Sequence, residues 1–157
     1  MTIELTRRSV VLSALAAGVL IGSPAAANVA GIASDIDNYC TGVEVLEDQL
    51  DGNSSSASME AIKSGVDSAW VRALNGIEEI DVDSLSEADL NKLQSALAIF
   101  VEWEKKDDSL LSKWVDVLKA VRAKEGLSGP STVQSDRARL KSKRDKLKKK
   151  IAELMGK

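Results

Sequence analysis

Apolar residues recur at steps of three and four along most of the chain from Val29 to Leu154, and this spacing constrains the fold more than any other feature. Such steps place side chains on one face of an α-helix, whereas a half-buried strand would alternate apolar and polar residues. No stretch alternates in that way. The sequence therefore predicts an all-α protein, built as an antiparallel bundle of four to five helices.

Glycines mark where the first two helices end or weaken. The first helix is predicted to run from Val29 to Leu50 and to stop at Gly52, because glycine tolerates a left-handed turn. The second helix contains Gly65 and Gly76, each of which costs roughly 1 kcal/mol relative to alanine in a helix. We therefore expect this helix to fray near Gly76.

The third helix begins at Ser86, which can cap it, but its end is ambiguous. The segment Lys105–Ser109 contains no Gly or Pro, so one helix could run from residue 87 to residue 125. A break at this segment is preferred, because Glu104 and Asp107 would lie on the apolar face of a continuous helix. The break would give the bundle its fifth helix.

The last helix differs from the others. It follows Ser128-Gly129-Pro130, a segment whose residues favour a turn and interrupt a helix. Apolar residues recur in it every seven positions, a narrow stripe typical of a coiled-coil contact. These are Val133, Leu140, Leu147 and Leu154, with Arg137, Arg144 and Ile151 at the complementary positions. Arginines on the stripe disfavour a self-dimer through it and favour a partner with acidic groups, which the preceding helices offer.

The chain has a net charge of −3, but its charged residues are distributed unevenly along the sequence. Residues 28–131 hold nine Lys and Arg against twenty Asp and Glu, whereas residues 132–157 hold ten Lys and Arg against three Asp and Glu. The two parts therefore attract each other, or each attracts a different partner. We divide the chain into an N-terminal segment at 1–27, an acidic helical bundle at 28–127, a linker at 128–131 and a basic C-terminal helix at 132–157.

The first 27 residues combine a charged start, an apolar middle and small residues ending at Ala27, which are the parts of an export signal. The segment Thr6–Val11, with Arg7 and Arg8 as the paired arginines, resembles the twin-arginine signal. This resemblance covers only residues 1–27. It implies export and cleavage after Ala27, which would make Asn28 the first residue of the mature protein.

An uncleaved membrane anchor is the alternative for this segment, because no charged residue occurs from Ser9 to Ser34. Cleaved export places the protein outside the cell, in the periplasm or at the envelope. A retained anchor would hold the same helical bundle at the membrane.

Residue types limit the chemistry that this chain can perform. It has no histidine, which removes the commonest general base and the commonest metal ligand. It also lacks a nucleophile elbow, a phosphate-binding glycine loop and metal-ligand spacing. The acidic residues Glu78, Glu79, Asp81 and Asp83 form only part of a calcium-loop pattern, and Glu102, Glu104, Asp107 and Asp108 have no spacing that favours acid–base work. We predict no enzyme activity, metal or cofactor.

Three further features suggest how the chain interacts. Cys40 is its only cysteine, so it is either a small buried residue or a link between two chains. Asn53 begins an Asn-Ser-Ser triplet on a predicted turn, which fits a glycosylation acceptor.

The basic helix is the candidate for polyanion binding through Lys141, Lys143, Arg144, Lys146, Lys148, Lys149 and Lys150. The three tryptophans are interpreted as core residues.

These observations lead to one principal hypothesis and one alternative. The principal hypothesis is an exported helical structural or interaction protein that acts by binding, to a protein partner or to itself. The alternative is a module that binds an anionic membrane surface or envelope polymer through its basic helix. Nucleic acid is disfavoured as a partner, because residues 132–157 contain no aromatic side chain for base stacking.

Overall fold

The computed structural model describes residues 24–127 and 133–156, with side chains for residues 28–127, 142, 143 and 145–156. Four α-helices and no strand occur in this described part, and they are α1 Pro24–Asp48, α2 Ser56–Glu79, α3 Glu87–Lys124 and α4 Val133–Met155. Short 3-10 turns at Gln49–Asp51 and Val82–Ser84 follow α1 and α2. The predicted all-α helical bundle is confirmed.

Each of the middle helices, α2 and α3, packs against both α1 and α4, so α1 and α4 occupy diagonally opposite corners of the bundle. Side-chain contacts set the directions of the helices. Tyr39 meets Asp107 and Gln49 meets Trp114, so α1 and α3 run parallel. Trp70 of α2 meets Glu104, whereas Ser56 meets Glu125, so α2 runs antiparallel to α3.

The α1 and α2 helices approach closely at two glycines. A Cβ atom on Gly42 would collide with the Val66 side chain, and one on Gly76 would lie 2.7 Å from Cγ1 of Ile32. The expected fraying at Gly76 is therefore wrong: α2 continues to Glu79, and Gly76 provides the space into which Ile32 packs. This contact offsets the low intrinsic helix propensity of glycine.

The preferred break at Lys105–Ser109 is also wrong, because α3 is one continuous helix of 38 residues. Glu104 and Asp107 do lie on its buried face, as the sequence indicated, but each carboxylate accepts a hydrogen bond from an aromatic side chain. Tyr39 Oη donates to Asp107 Oδ2 at 2.7 Å, and Trp70 Nε1 donates to Glu104 Oε2 at 2.8 Å. These bonds reduce the cost of burying polar groups, so the helix does not need to break.

Several helix ends follow the predicted signals. Ser86 Oγ accepts the N–H of Asp89 at 3.1 Å, which is the predicted cap of α3. Gly52 and Gly126 have φ angles of 77° and 73°, so both terminate helical segments in the left-handed conformation. The predicted cap of α3 at Ser86 and the predicted end of the first helix at Gly52 are therefore confirmed.

The end of α3 is tied to the start of α2 through Glu125. Its two carboxylate oxygens accept the backbone N–H of Ser56 at 2.8 Å and the Ser56 hydroxyl at 2.7 Å. These two hydrogen bonds, led by the backbone N–H, lower the pKa of Glu125 below its ordinary value of 4.5. A carboxylate at this position also suits the positive end of the α2 dipole.

Candidate functional site

The basic helix α4 is anchored to the body by its apolar stripe. Leu147, Ile151 and Leu154 are all buried, and Gln94 Nε2 of α3 donates a hydrogen bond to the Leu154 carbonyl at 2.9 Å. The described part of the predicted coiled-coil stripe is thus used inside the chain, against α2 and α3. Val133 and Leu140, and the seam arginines Arg137 and Arg144, have side chains outside the described set.

The structure divides the seven candidate polyanion-binding residues into three groups. Lys143 and Lys150 turn toward α2, where Lys143 donates to the Asn75 side chain and Lys150 to the Glu78 carbonyl. The side chains of Lys141 and Arg144 lie outside the described set. The remaining three are exposed, and we name them together the lysine face: Lys146, Lys148 and Lys149. Because an α-helix has 3.6 residues per turn, Lys146 and Lys149 lie near each other on α4, whereas Lys148 lies on the opposite flank of the helix. Asp145 and Glu153 are also exposed on α4, so its outer side is less uniformly basic than the sequence suggested.

A second charged surface lies where α2 ends and α3 begins. Five carboxylates are exposed there, and we name this set the acidic tip: Glu78, Glu79, Asp81, Asp83 and Glu87. Asp81 Oδ1 accepts the N–H of Asp83 at 3.2 Å, which caps the intervening 3-10 turn. Among the described residues, no group of three or more acidic or cysteine side chains could hold a metal ion. Of the residues in the partial calcium-loop pattern, Asp81 caps this turn.

The four carboxylates considered for acid–base work do not converge on one site. Glu104 and Asp107 point into the core, whereas Glu102 and Asp108 are exposed. The hydrogen bonds from Trp70 and Tyr39 hold the two buried carboxylates in place. Such an arrangement fixes the contacts among α1, α2 and α3 rather than opening a space for a substrate.

One buried ion pair was missed in the sequence. Lys63 and Asp67 are spaced four residues apart on α2, and Lys63 Nζ lies 2.6 Å from Asp67 Oδ1. Lys63 is only 1% exposed and Asp67 9%. The signal that could have found this pair is that both positions fall on the buried face between Met59 and Trp70, at the spacing that brings helix side chains together.

The tryptophans are core residues, as predicted: Trp70, Trp103 and Trp114 are all at most 4% exposed. Trp114 Nε1 donates to Gln49 Oε1 at 3.1 Å. The Lys106 ammonium lies 4.8 Å from the centre of the Trp103 ring, a cation–π contact at the edge of the core. These side chains stabilise helix packing and do not form an exposed aromatic platform.

A shallow cleft of about 200 Å³ lies between the start of α1 and the end of α2. Its lining residues are Asn28, Gly31, Ile32, Asp35, Gly76, Glu79 and Ile80. Asp35 is paired with Arg72 at 3.3 Å, and Ile32 is packed against Gly76. The described lining contains no nucleophile beside a base, so its geometry does not define a reaction.

Two predicted modification sites have different surroundings. Cys40 is fully buried in α1, which agrees with its interpretation as a small core residue. A disulfide between two folded chains through Cys40 is at odds with this burial, because exchange requires access to the sulfur. Asn53 is exposed in the turn between α1 and α2, and its backbone N–H donates to Asp51 Oδ1 at 2.8 Å. Its position leaves the side chain accessible.

The predicted export signal, with Arg7 and Arg8, lies outside the described residues. The described helix α1 begins at Pro24, within the segment assigned to the signal. Over residues 24–127 and 133–156, none of the helices is both long enough and apolar enough to cross a bilayer. No protein-family model, curated protein or solved structure gives a significant match to this chain.

Proposed function

We propose that this chain is an exported helical interaction protein that acts by binding at its surface. The binding surface is the lysine face of α4, and the partner presents acidic groups to it. A protein partner, which includes a second copy of the chain, fits this role. An anionic membrane surface or envelope polymer is the alternative partner.

One observation carries the proposal: Leu147, Ile151 and Leu154 hold α4 on the body while the lysine face remains exposed. A helix already fixed in place loses less conformational freedom on binding than an unanchored basic segment would. Lysines spaced along such a helix attract anionic groups through long-range electrostatics, which salt screens.

The interior of the bundle supports a surface role over catalysis. The described carboxylates that are buried on α3, Glu104 and Asp107, accept hydrogen bonds from core aromatic side chains. Lys63 is likewise paired with Asp67. We therefore propose no catalytic residue and no cofactor.

Charge reversal tests the binding surface. The variant Lys146→Glu, Lys148→Glu, Lys149→Glu should elute from a sulfated-polymer resin at much lower salt than the unmodified protein, and should bind less to vesicles containing phosphatidylglycerol. A control variant changes three exposed lysines of α3 and has the same net charge: Lys113→Glu, Lys119→Glu, Lys124→Glu. Equal losses in the two variants would show that net charge alone decides retention and would refute the proposed surface. Binding to one material only would distinguish a polymer from a lipid surface.

Export is proposed from the twin-arginine resemblance alone. The intact mass of the native protein, measured separately in membrane and soluble exported fractions, tests it. A soluble species beginning at Asn28 is expected. A full-length species confined to the membrane fraction would instead support the retained anchor, and added mass would reveal a glycan at Asn53.

A further inference from the structure

We infer that the docking of α1 controls the removal of the export signal: while the start of α1 is packed on the bundle, the peptide bond between Ala27 and Asn28 is protected from hydrolysis. This inference rests on the proposed function, because it concerns the cleavage that the twin-arginine resemblance implies. It follows from the position of that bond in the fold.

The predicted cleavage bond lies inside a helix. α1 runs from Pro24 to Asp48, so the backbone on both sides of the Ala27–Asn28 bond is helical. Each carbonyl group within an α-helix accepts the N–H group four residues later. A peptidase needs its substrate in an open conformation, so cleavage of a folded chain proceeds from a locally opened state. The first turns of α1 therefore have to unwind before the bond can be cleaved.

The residues that follow the bond are fixed in the core. Val29, Ile32 and Ala33 are each at most 2% exposed. Ile32 packs into the space at Gly76 of α2. Opening α1 as far as Ile32 exposes these side chains to water, and each exposed Val or Ile lowers the open population by roughly tenfold to a hundredfold. The start of α1 is thus held on the bundle, although Asn28 itself is exposed.

Cleavage and docking compete for the same residues. Hydrolysis breaks the C–N bond between Ala27 and Asn28: water supplies a hydroxyl group to the Ala27 carbonyl carbon and a proton to the Asn28 nitrogen, and a signal peptidase supplies the catalytic groups. A chain that is cleaved first forms its bundle without residues 24–27. A chain that docks α1 first keeps residues 1–27 and, with them, the candidate membrane anchor. Cleaved export and the retained anchor are then two outcomes of one chain.

A reversible cross-link tests this control. In the variant Ile32→Cys, Gly76→Cys the two Cβ atoms would lie 3.9 Å apart, which suits a disulfide. Cys40→Ala in every chain removes the only other thiol. With the disulfide formed, a purified signal peptidase in detergent should cleave this variant more slowly than after reduction, by about tenfold or more. Intact mass measures the product that begins at Asn28.

A second cross-link is the matched control. The variant Gly42→Cys, Val66→Cys also joins α1 to α2, with 3.5 Å between the Cβ atoms, but it lies beyond the residues that have to open. Its rate of cleavage after Ala27 should be nearly the same with and without the disulfide. Equal protection by both cross-links would show that cleavage requires unfolding of the whole bundle, and would overturn control by the start of α1.

A synthetic peptide of residues 1–35 gives the rate for an unfolded substrate and separates this inference from the proposed function. If the peptide and the folded full chain are cleaved after Ala27 equally fast, the inference is refuted and the export signal stands. If the peptide is not cleaved there, the predicted cleavage fails and the inference fails with it, while binding through the lysine face is decided by the resin. Fast cleavage of the peptide, slower cleavage of the folded chain and protection by the first cross-link alone would support the inference.

Discussion

Gly65 and Gly76 show how one residue type has opposite roles within one helix. Both lie inside α2, but a Cβ atom on Gly65 would meet no other atom within 4 Å, whereas one on Gly76 would meet Ile32 at 2.7 Å. Ile32 is 2% exposed and cannot move aside without disturbing the core. The sequence showed only two helix-weakening residues, because the partner of Gly76 lies 44 positions away in the chain.

We predict that Gly76→Ala lowers the free energy of unfolding by about 1–3 kcal/mol, because the added methyl group overpacks the contact with Ile32. Gly65→Ala is the matched control and should raise the free energy of unfolding by about 0.4–1 kcal/mol, through better helix propensity and a less flexible unfolded chain. Urea unfolding followed by circular dichroism measures both values. Stabilisation by Gly76→Ala would contradict the close approach of α1 and α2.

At the scale of the element, the continuity of α3 is the feature that the sequence predicted wrongly. The pattern correctly placed Glu104 and Asp107 on the apolar face, but it carried no information about the groups that would face them. Their donors, Trp70 and Tyr39, are on other helices and looked like ordinary core aromatics. Local rules therefore found the cap at Ser86 and the turn at Gly52, and failed where hydrogen bonds from other helices compensate for buried carboxyl groups.

Proline substitution tests this continuity. Ser109→Pro should destabilise the protein by about 3 kcal/mol or more, because proline removes a backbone hydrogen bond inside the helix and clashes with the preceding turn. If α3 were broken with a cap at Asp108, position 109 would be a first helical position that tolerates proline. Glu87→Pro is the control, since Glu87 is the first residue of α3 after its Ser86 cap, and it should be nearly neutral. Thermal unfolding of both variants decides between the two descriptions.

The Glu125 tie between α2 and α3 predicts a pH dependence. Hydrogen bonds from Ser56 lower the pKa of Glu125 in the folded protein, so the ionised form contributes stability above pH 4.5. That contribution is lost as the pH falls below this value through the lowered pKa of the folded state. Glu125→Gln should thus be less stable than the unmodified protein near pH 6, and the difference should shrink in acid. Urea midpoints across this range measure the effect.

At the scale of the whole molecule, the basic helix is the part whose role the sequence predicted least completely. Its leucine stripe and its lysines were visible, but lysines lie on both sides of the stripe. Lys143 and Lys150 each precede a buried leucine by four residues, which places them beside the body. Lys146, Lys148 and Lys149 lie farther round the helix and remain exposed. Only the packing of α4 on α2 and α3 decides which charges a partner can reach.

The same packing predicts that α4 opens before the rest of the bundle. Of the 13 described side chains of α4 (residues 142, 143 and 145–155) three are buried apolar residues, against eight of the 21 described side chains of α1 (residues 28–48). Leu154→Ala should lower the free energy that holds α4 on the body by about 2–5 kcal/mol, because it leaves a cavity at this contact. Because regions with few buried contacts open locally, amide hydrogen exchange should then accelerate in α4 and stay slow in α1.

Leu97→Ala, on α3, provides the comparison because Leu97 is fully buried. It should accelerate exchange in α1, α2 and α3 together, since it weakens the core that these helices share. If Leu154→Ala instead accelerates exchange equally in all four helices, the chain unfolds as one cooperative unit and α4 is not an independently opening element. An α4 that opens alone would also release the lysine face from its fixed position, so the same variant should weaken any binding that depends on a docked helix.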